Sequence, residues 1–512
     1  MIKDAIIALS LANLCFIVSW NELLAAPIRR FNTCLAIIIN VILLASFFWI
    51  AMTLARRSRT QLAARVARLL FPLVLLLPLN GLLRILFPHI MPFNLLIVIG
   101  LGIAVMGLYE IMPWYPRIIR TAEVAVMVLF PFCVIAIAQA SWSLKSTPRK
   151  SIVQPVIDGN PTGRRVLWLL FDEMDQHVAF SNRPATLNLP ELDRLREQAL
   201  YARNVYSPSD STLVSVPALI TGKILSNTEM VNQSKLMITF ADADRSVDWG
   251  SQPNVFSRAR EAGFNTTLIG WYLPCCNMIG ESLTNCSWVD TEAVTLSESL
   301  SKQIQDVIST IPIASSFVFA HRLEANRTDE RRRTLESYIE TLQAAKAAIA
   351  DPNFGLVLVH WPVPHPPGIY SRRKNAFETN DESSYLDNLK LVDQALGELR
   401  SCMEGAGTWD NTTVLVTSDH WWRTDIWRPT DSWTREDAET EKGDTDHRVP
   451  FLLKLAGQRT TVTYDPVFNN VLTQDLVDGL LRGDLTSPDS VAQWIDQHRS
   501  IGETPYRFNL PQ

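Results

Sequence analysis

Five apolar runs free of charged side chains crowd the first 145 residues of this 512-residue chain: Ala5–Asn21, Phe31–Ala55, Leu69–Leu83, Met91–Tyr109 and Val124–Leu144. A bilayer core about 30 Å thick takes roughly 20 apolar residues to cross as a helix. The second and fifth runs meet that length, and the short first and third can cross by tilting or through snorkelling flanks. The runs therefore predict a bundle of five transmembrane helices over residues 1–145.

Orientation follows from Lys and Arg, which collect in the short loops on the cytoplasmic side. Arg56, Arg57, Arg59, Arg65 and Arg68 follow the second run, and Arg117 and Arg120 precede the fifth. With those loops inside, everything after the fifth span lies outside; only Arg29 and Arg30 oppose this. The expectation is a multi-pass protein of the inner (cytoplasmic) membrane with its large domain on the periplasmic or extracellular side. No small-residue cleavage site follows the first run, so it reads as a retained anchor rather than a signal peptide.

Cys15, Cys34 and Cys133 fall in the apolar runs, leaving Cys275, Cys276, Cys286 and Cys402 for the polar part. In an oxidising compartment Cys286 could pair with Cys275 or Cys276, whereas the adjacent Cys-Cys does not have the spacing of a zinc knuckle. A net charge of -5, with no strongly basic stripe in the polar part, gives no sign of a nucleic-acid partner, and none is expected.

The Ser-, Thr- and Pro-rich stretch around Ser141–Pro161 marks a linker, set at 146–162, ahead of a domain over 163–512. There Arg165–Phe171, Gly355–His360 and Thr412–Thr417 are continuous apolar runs, as strands buried on both faces require. Shorter strand candidates are Ala199–Val205, Thr266–Trp271 and Pro450–Leu455. Helical patterns fall at Leu189–Gln198, Asn254–Ala262, Asp329–Ala350, Tyr385–Met403 and Val471–Leu481. This alternation predicts an α/β domain with a mostly parallel central sheet. Ligands of such sheets bind beyond the carboxyl ends of the strands. Asp172 and Glu173 follow the first strand, His360 to His365 close the second, and Asp419 and His420 follow the third.

Asp172, Glu173, Asp419 and His420 offer the carboxylate and imidazole mixture that a divalent metal of intermediate hardness accepts. Thr212, at the head of an expected helix, adds a hydroxyl whose pKa a nearby cation would lower toward a nucleophilic alkoxide. Singly, each has a plainer reading: strand-end solvation for the acids, a helix cap for Thr212. Together they describe a site for breaking a phosphate or sulfate ester.

The order of these motifs over residues 163–457 resembles the sulfatase-like branch of the alkaline phosphatase superfamily. In that branch an apolar strand ends in an acidic pair, as in Leu170-Phe171-Asp172-Glu173. The nucleophile stands nine residues before a Thr-Gly, as Thr212 does before Thr221-Gly222, and a metal motif similar to Thr417-Ser418-Asp419-His420 comes late. The resemblance implies an alkaline-phosphatase-like fold, with Thr212 rather than Ser211 or Ser215 as nucleophile. Sulfatases proper carry a Cys or Ser there, for conversion to formylglycine, followed by Pro and Arg; this chain has Thr212, Val214 and Val216. Threonine followed by Val214-Ser215-Val216-Pro217 resembles the membrane-anchored phosphoethanolamine and phosphoglycerol transferases of bacterial envelopes, which also carry five N-terminal spans.

By that resemblance Glu173, Thr212, Asp419 and His420 would hold one divalent metal, with zinc expected ahead of manganese, magnesium or calcium and a second metal left open. His365, in His360-Trp-Pro-Val-Pro-His365, and His447, before Arg448-Val-Pro-Phe451, are expected to bind the ester's charged oxygens or a second metal; His360 is expected to end its strand. The implied activity moves a phosphorylated headgroup from a membrane lipid donor to an envelope glycan or lipid acceptor through a phospho-threonine. Two departures, Trp421-Trp422 in place of the usual glycine and Asp172 in place of the glycine common in those transferases, keep a tethered phosphodiesterase or sulfatase-like hydrolase as the alternative.

Overall fold

The computed structural model describes residues 2–26, 30–57, 74–75, 77–82, 85–86, 115–145, 153–160, 162–290, 294–310, 312–378, 383–441 and 446–499. The chain forms two compact units, one of Met1–Thr147 with Ala293–Asn326 and one of Pro148–Glu292 with Arg327–Gln512.

In the first unit, Phe31–Leu54 and Arg120–Trp142 are each long and apolar enough to cross a bilayer, and Ile2–Cys15 with Ile17–Ala25, bent by 64°, makes a third candidate. Of the expected span Leu69–Leu83 only residues 74–75 and 77–82 are described, as helix, and Met91–Tyr109 lies outside the described residues, so among the described residues two or three candidate spans are long enough to cross. Cys34, Ile37 and Val41 of Phe31–Arg57 pack in one cluster with Ala12 of the first helix, Trp20 of the second and Phe16 at the bend between them.

The helix Leu296–Ser309 belongs to this unit, not to the sheet domain in which the hydropathy division had placed it. It buries a polar stripe, Ser299, Gln303 and Asp306. Asn40 donates to the Leu300 carbonyl at 3.2 Å and to Gln303 Oε1 at 3.1 Å, and Ser19 donates to Asp306 at 3.0 Å. Polar groups in apolar surroundings are costly unless paired, so each side holds the other in place. A polar stripe reads in sequence as a solvated face, which is why hydropathy could not assign the segment.

Among the described residues the second unit has fourteen strands: β1 (Arg165–Asp172), β2 (Leu200–Tyr206), β3 (Leu225–Asn232), β4 (Lys235–Phe240), β5 (Ser246–Asp248), β6 (Asn265–Trp271), β7 (Asn285–Val289), β8 (Phe354–Pro364), β9 (Tyr370–Ser371), β10 (Ala376–Phe377), β11 (Thr412–Ser418), β12 (Arg448–Lys454), β13 (Val462–Tyr464) and β14 (Phe468–Asn469). The main sheet runs β13-β2-β12-β11-β1-β8-β6-β7, with β14 also on β2. β11, β1, β8, β6 and β7 are mutually parallel, and β12 is antiparallel to both its neighbours.

β1, β8 and β11 are buried along their whole length, because helices cover both faces. One face packs Val166, Trp168 and Leu170 under Thr212–Thr221 and Thr473–Arg482, and the other packs Leu167, Leu169 and Phe171 under Tyr385–Gly405 and the later part of the long helix Pro312–Ala350, from Leu335 onward. The expected helix at Asp329–Ala350 thus begins earlier, at Pro312. The three-stranded sheet β3-β4-β5 was not anticipated; β3 is mostly exposed and its sequence, Leu-Ser-Asn-Thr-Glu-Met-Val-Asn, lacks a continuous apolar run. Cys286 pairs with Cys276, between Cα atoms 5.5 Å apart, while Cys275 is a buried free thiol.

Candidate active site

The carboxyl ends of the three central strands converge. Leu170 of β1 lies in register with Thr417 of β11 on one side and His360 of β8 on the other. Asp172, Asp419-His420 and His360 therefore emerge on one rim although 247 residues separate the first acid from the second. Ser418 ties the ends together, donating to the Phe171 carbonyl at 2.6 Å and accepting from Met174 N–H at 2.8 Å. Asn470 donates to the Ser418 carbonyl at 2.8 Å.

Thr212 opens the helix Thr212–Thr221. Its neighbour Ser211 is the N-cap residue, in extended conformation and with no side-chain cap bond, so the Thr212 hydroxyl is not spent on capping. At the other end Gly222 takes φ 69°, and a side chain there would collide with Gln474. Ser215 is buried and bonded to Ser209 N–H at 3.1 Å. Thr212 Oγ1 is 3.0 Å from His420 Nε2 and 3.4 Å from Asp172 Oδ2. His420 Nδ1 faces the Trp421 carbonyl at 3.1 Å. A carbonyl only accepts, so Nδ1 carries the proton and Nε2 accepts from Thr212.

Asp172, His360, Asp419 and His420 are all almost wholly buried. His420 Nε2 lies 3.4 Å from Asp419 Oδ2 and 3.5 Å from Asp172 Oδ1, and His360 Nε2 lies 3.7 Å from Asp172 Oδ2 and 3.9 Å from Asp419 Oδ2. Three of these atoms, Asp172 Oδ1, Asp419 Oδ2 and His360 Nε2, have no hydrogen-bond partner. Buried orphans of this kind are costly. Tetrahedral zinc with bonds of about 2.0–2.1 Å sets its ligand atoms roughly 3.3–3.4 Å apart, so pairwise spacings of 3.4–3.9 Å suit ligands of a divalent ion with modest contraction. Two sets have ligand atoms within 4.8 Å of one another: Asp172, His360 and Asp419; and Asp172, Glu173 and His420.

Electrostatics point the same way. Burial, then the Asp419 and Glu173 charges, push the Asp172 carboxyl well above its ordinary range, and burial pushes Asp419 up to about 7. Burial pulls His360 and His365 down to about 3 and His420 well below its ordinary value. The cluster opposes its own carboxylate charge, and a divalent cation would relieve that opposition while binding neutral imidazole.

Glu173 behaves differently from Asp172. Its backbone adopts φ 62°, a left-handed conformation that costs a non-glycine residue roughly 1–3 kcal/mol. The Tyr385 hydroxyl donates to its carbonyl at 2.7 Å, and its N–H donates to Asp419 at 3.3 Å. Arg423 Nε donates to its Oε1 at 2.6 Å and Trp427 Nε1 to its Oε2 at 2.7 Å, so both carboxylate oxygens already have donors.

The expected histidines separate. His360 does not end its strand, which continues to Pro364, and it is the one whose ring reaches the acids. His365 turns Nδ1 toward the Pro366 carbonyl at 2.5 Å, with its ring edge-on to Trp427 at 4.9 Å and Trp271 at 5.3 Å. His447 stacks on Trp421 at 4.4 Å. Arg423 and Trp427 escaped the sequence reading, since an arginine and a tryptophan at the two ends of a one-turn helix carry no motif; the four tryptophans between 421 and 433 were the available signal.

Comparison with curated proteins finds no match to the chain. Among solved structures, Ps i-CgsB in complex with k-i-k-neocarrahexaose is 12% identical over 67% of this chain and 77% of its own, with a TM-score of 0.43. Phosphonate monoester hydrolase of Agrobacterium radiobacter is 14% identical over 60% and 71%, with a TM-score of 0.37. The lipoteichoic acid synthase LtaP from Listeria monocytogenes is 12% identical over 64% and 75%, with a TM-score of 0.39. These likenesses are distant, and the assignment rests on sequence. A family model described as Sulfatase matches residues 164–482, more than half of the chain. The chain thus belongs to the sulfatase family within the alkaline phosphatase superfamily, whose enzymes act on sulfate or phosphate esters with a divalent metal.

Proposed function

We propose that this is a membrane-anchored transferase that moves a phosphorylated headgroup, of phosphoethanolamine or phosphoglycerol type, from a lipid donor to an envelope glycan or lipid through Thr212. The observation that carries the reading is the Thr212 hydroxyl, buried on the first turn of its helix within 3.4 Å of both His420 and Asp172. Asp172, Asp419, His420 and His360 would hold the metal, with Thr212 and Glu173 adjoining; mixed carboxylate and imidazole donors favour zinc over manganese, magnesium or calcium. The bound ion would lower the Thr212 pKa and neutralise charge on the transferred group.

Thr212 Oγ attacks phosphorus in line; its bond to phosphorus forms as the bond to the lipid's glycerol oxygen breaks, and the hydroxyl proton ends on that departing alcohol. The acceptor hydroxyl then attacks the phospho-threonine and returns its own proton to Thr212. His365 and, further out, His447 are the side chains we assign to the group's remaining oxygens. Threonine in place of a formylglycine precursor favours phosphoryl over sulfuryl transfer. An anchor in the membrane, residues 1–145, holds the domain near lipid headgroups, and the Cys276–Cys286 disulfide suits an oxidising, periplasmic side.

Incubating the metal-loaded protein with headgroup-labelled phosphatidylethanolamine or phosphatidylglycerol should leave label on Thr212, and Thr212→Ala should abolish it. No label from either donor would sink the reading. The acidic pair Asp172-Glu173 supports a second reading, a tethered phosphodiesterase or sulfatase-like hydrolase in which water is the acceptor. Turnover of a nitrophenyl phosphodiester without transfer to any added acceptor would favour it.

A further inference from the structure

Adjacent residues of the acidic pair have different hydrogen-bond partners. Asp172 lies among His360, Asp419 and His420, whereas Glu173, turned by its φ of 62°, keeps an oxygen within 4.8 Å of Asp172 and His420 but has both carboxylate oxygens taken by Arg423 and Trp427. Arg423 also places a terminal nitrogen on Glu173 Oε1, so one edge of the guanidinium is fixed against that oxygen. Its other terminal nitrogen makes no hydrogen bond among the described residues, and its side chain keeps 17% exposure while Glu173 has none. An arginine anchored along one edge by a carboxylate presents the opposite edge to an anion in a fixed direction.

The geometry points to Arg423 as a substrate-binding residue: its free edge takes the non-bridging oxygens of the phosphate or sulfate group beside Thr212. Glu173 is a positioning residue that acts through Arg423 rather than a ligand the metal requires. This rests on the ester-transfer reading of the Thr212 site. Arg423 bonds to Glu173 at 2.6 Å, the Glu173 carboxylate lies within 4.8 Å of Asp172 and His420, and both of these contact the Thr212 hydroxyl, so the guanidinium stands one residue away from the groups around Thr212. The residue stands three positions after His420, beyond the Trp421-Trp422 pair.

The test uses the full-length protein in detergent, with three readouts: zinc content, binding of inorganic phosphate, and kcat and KM for a bis-nitrophenyl phosphate diester. Arg423→Met should keep its zinc, bind phosphate about 10- to 100-fold more weakly and raise KM by a similar factor, as loss of charge-assisted hydrogen bonds implies. Free guanidinium at millimolar concentration should restore part of the phosphate binding to Arg423→Ala, which it would not do for a purely structural residue. Glu173→Gln should also keep its zinc while weakening phosphate; Asp172→Asn should lose the metal. Zinc loss in Glu173→Gln equal to that in Asp172→Asn, or wild-type phosphate affinity in Arg423→Met, overturns the assignment. Should Arg423→Met fail to fold, Arg423→Gln, which also removes the charge, is read in the same way. Wild-type protein that holds zinc and binds phosphate through Arg423 yet forms no phospho-threonine would refute the transfer reading alone.

Discussion

Removing the metal should destabilise the sheet domain, and the effect should grow with pH. Asp419 sets the magnitude, because burial pushes its carboxyl from 3.8 up to about 7. A folded-state pKa above the unfolded one means the folded protein holds the proton more tightly, so stability is complete below about pH 4 and is lost as pH rises through 7. At about 1.4 kcal/mol per unit, roughly 4 kcal/mol is at stake, of which about 3 kcal/mol falls between pH 5 and pH 8. Asp172 shifts in the same direction and adds to it. For a domain of this size each kcal/mol moves the melting midpoint by roughly 1–2 °C. Chelated protein should therefore melt about 4 °C lower at pH 8 than at pH 5 from Asp419 alone, by calorimetry in detergent. Chelated Asp419→Asn should show a smaller fall over the same range, and zinc should restore the wild type most at pH 8. Equal midpoints at the two pH values in chelated wild type, or the same fall in Asp419→Asn, would refute the electrostatic account of the cluster.

Two further outcomes test the scaffold. Cys286→Ala should destabilise the sheet domain by about 2–3 kcal/mol, since it reopens a loop of ten residues, and the buried Cys275 thiol should stay unlabelled in the native protein until it unfolds; no shift in the melting midpoint would refute the pairing. Asn40→Leu removes the donor shared by the Leu300 carbonyl and Gln303, and should weaken docking of Leu296–Ser309 by about 1–2 kcal/mol. Faster hydrogen exchange in that helix is the expected sign, and unchanged exchange would count against it.

The apolar runs of the N-terminal part and the continuous runs at Arg165–Phe171, Gly355–His360 and Thr412–Thr417 were legible because burial on all sides leaves an unbroken hydrophobic signature. Thr212, Asp172, Asp419 and His420 were legible because motif order survives where overall similarity does not. The edge strand Asn285–Val289 and the sheet β3-β4-β5 were not, being short or exposed and therefore free to carry polar residues.

The sequence by itself determined an N-terminal part with apolar helices long enough to cross a membrane, a mostly parallel α/β domain, and the residue types gathered on its rim, since hydropathy, periodicity and motif spacing are properties of the chain. Only the tertiary structure decided which neighbours share a site. Strand register brought His360, rather than His365, to Asp172 and Asp419. One left-handed residue gave the Glu173 carboxylate hydrogen-bond partners that Asp172 lacks, and gave Arg423 its anchor. The polar stripe of Leu296–Ser309 found Asn40 and Ser19. Direction and pairing across hundreds of residues depend on backbone angles and packing, which no local pattern encodes.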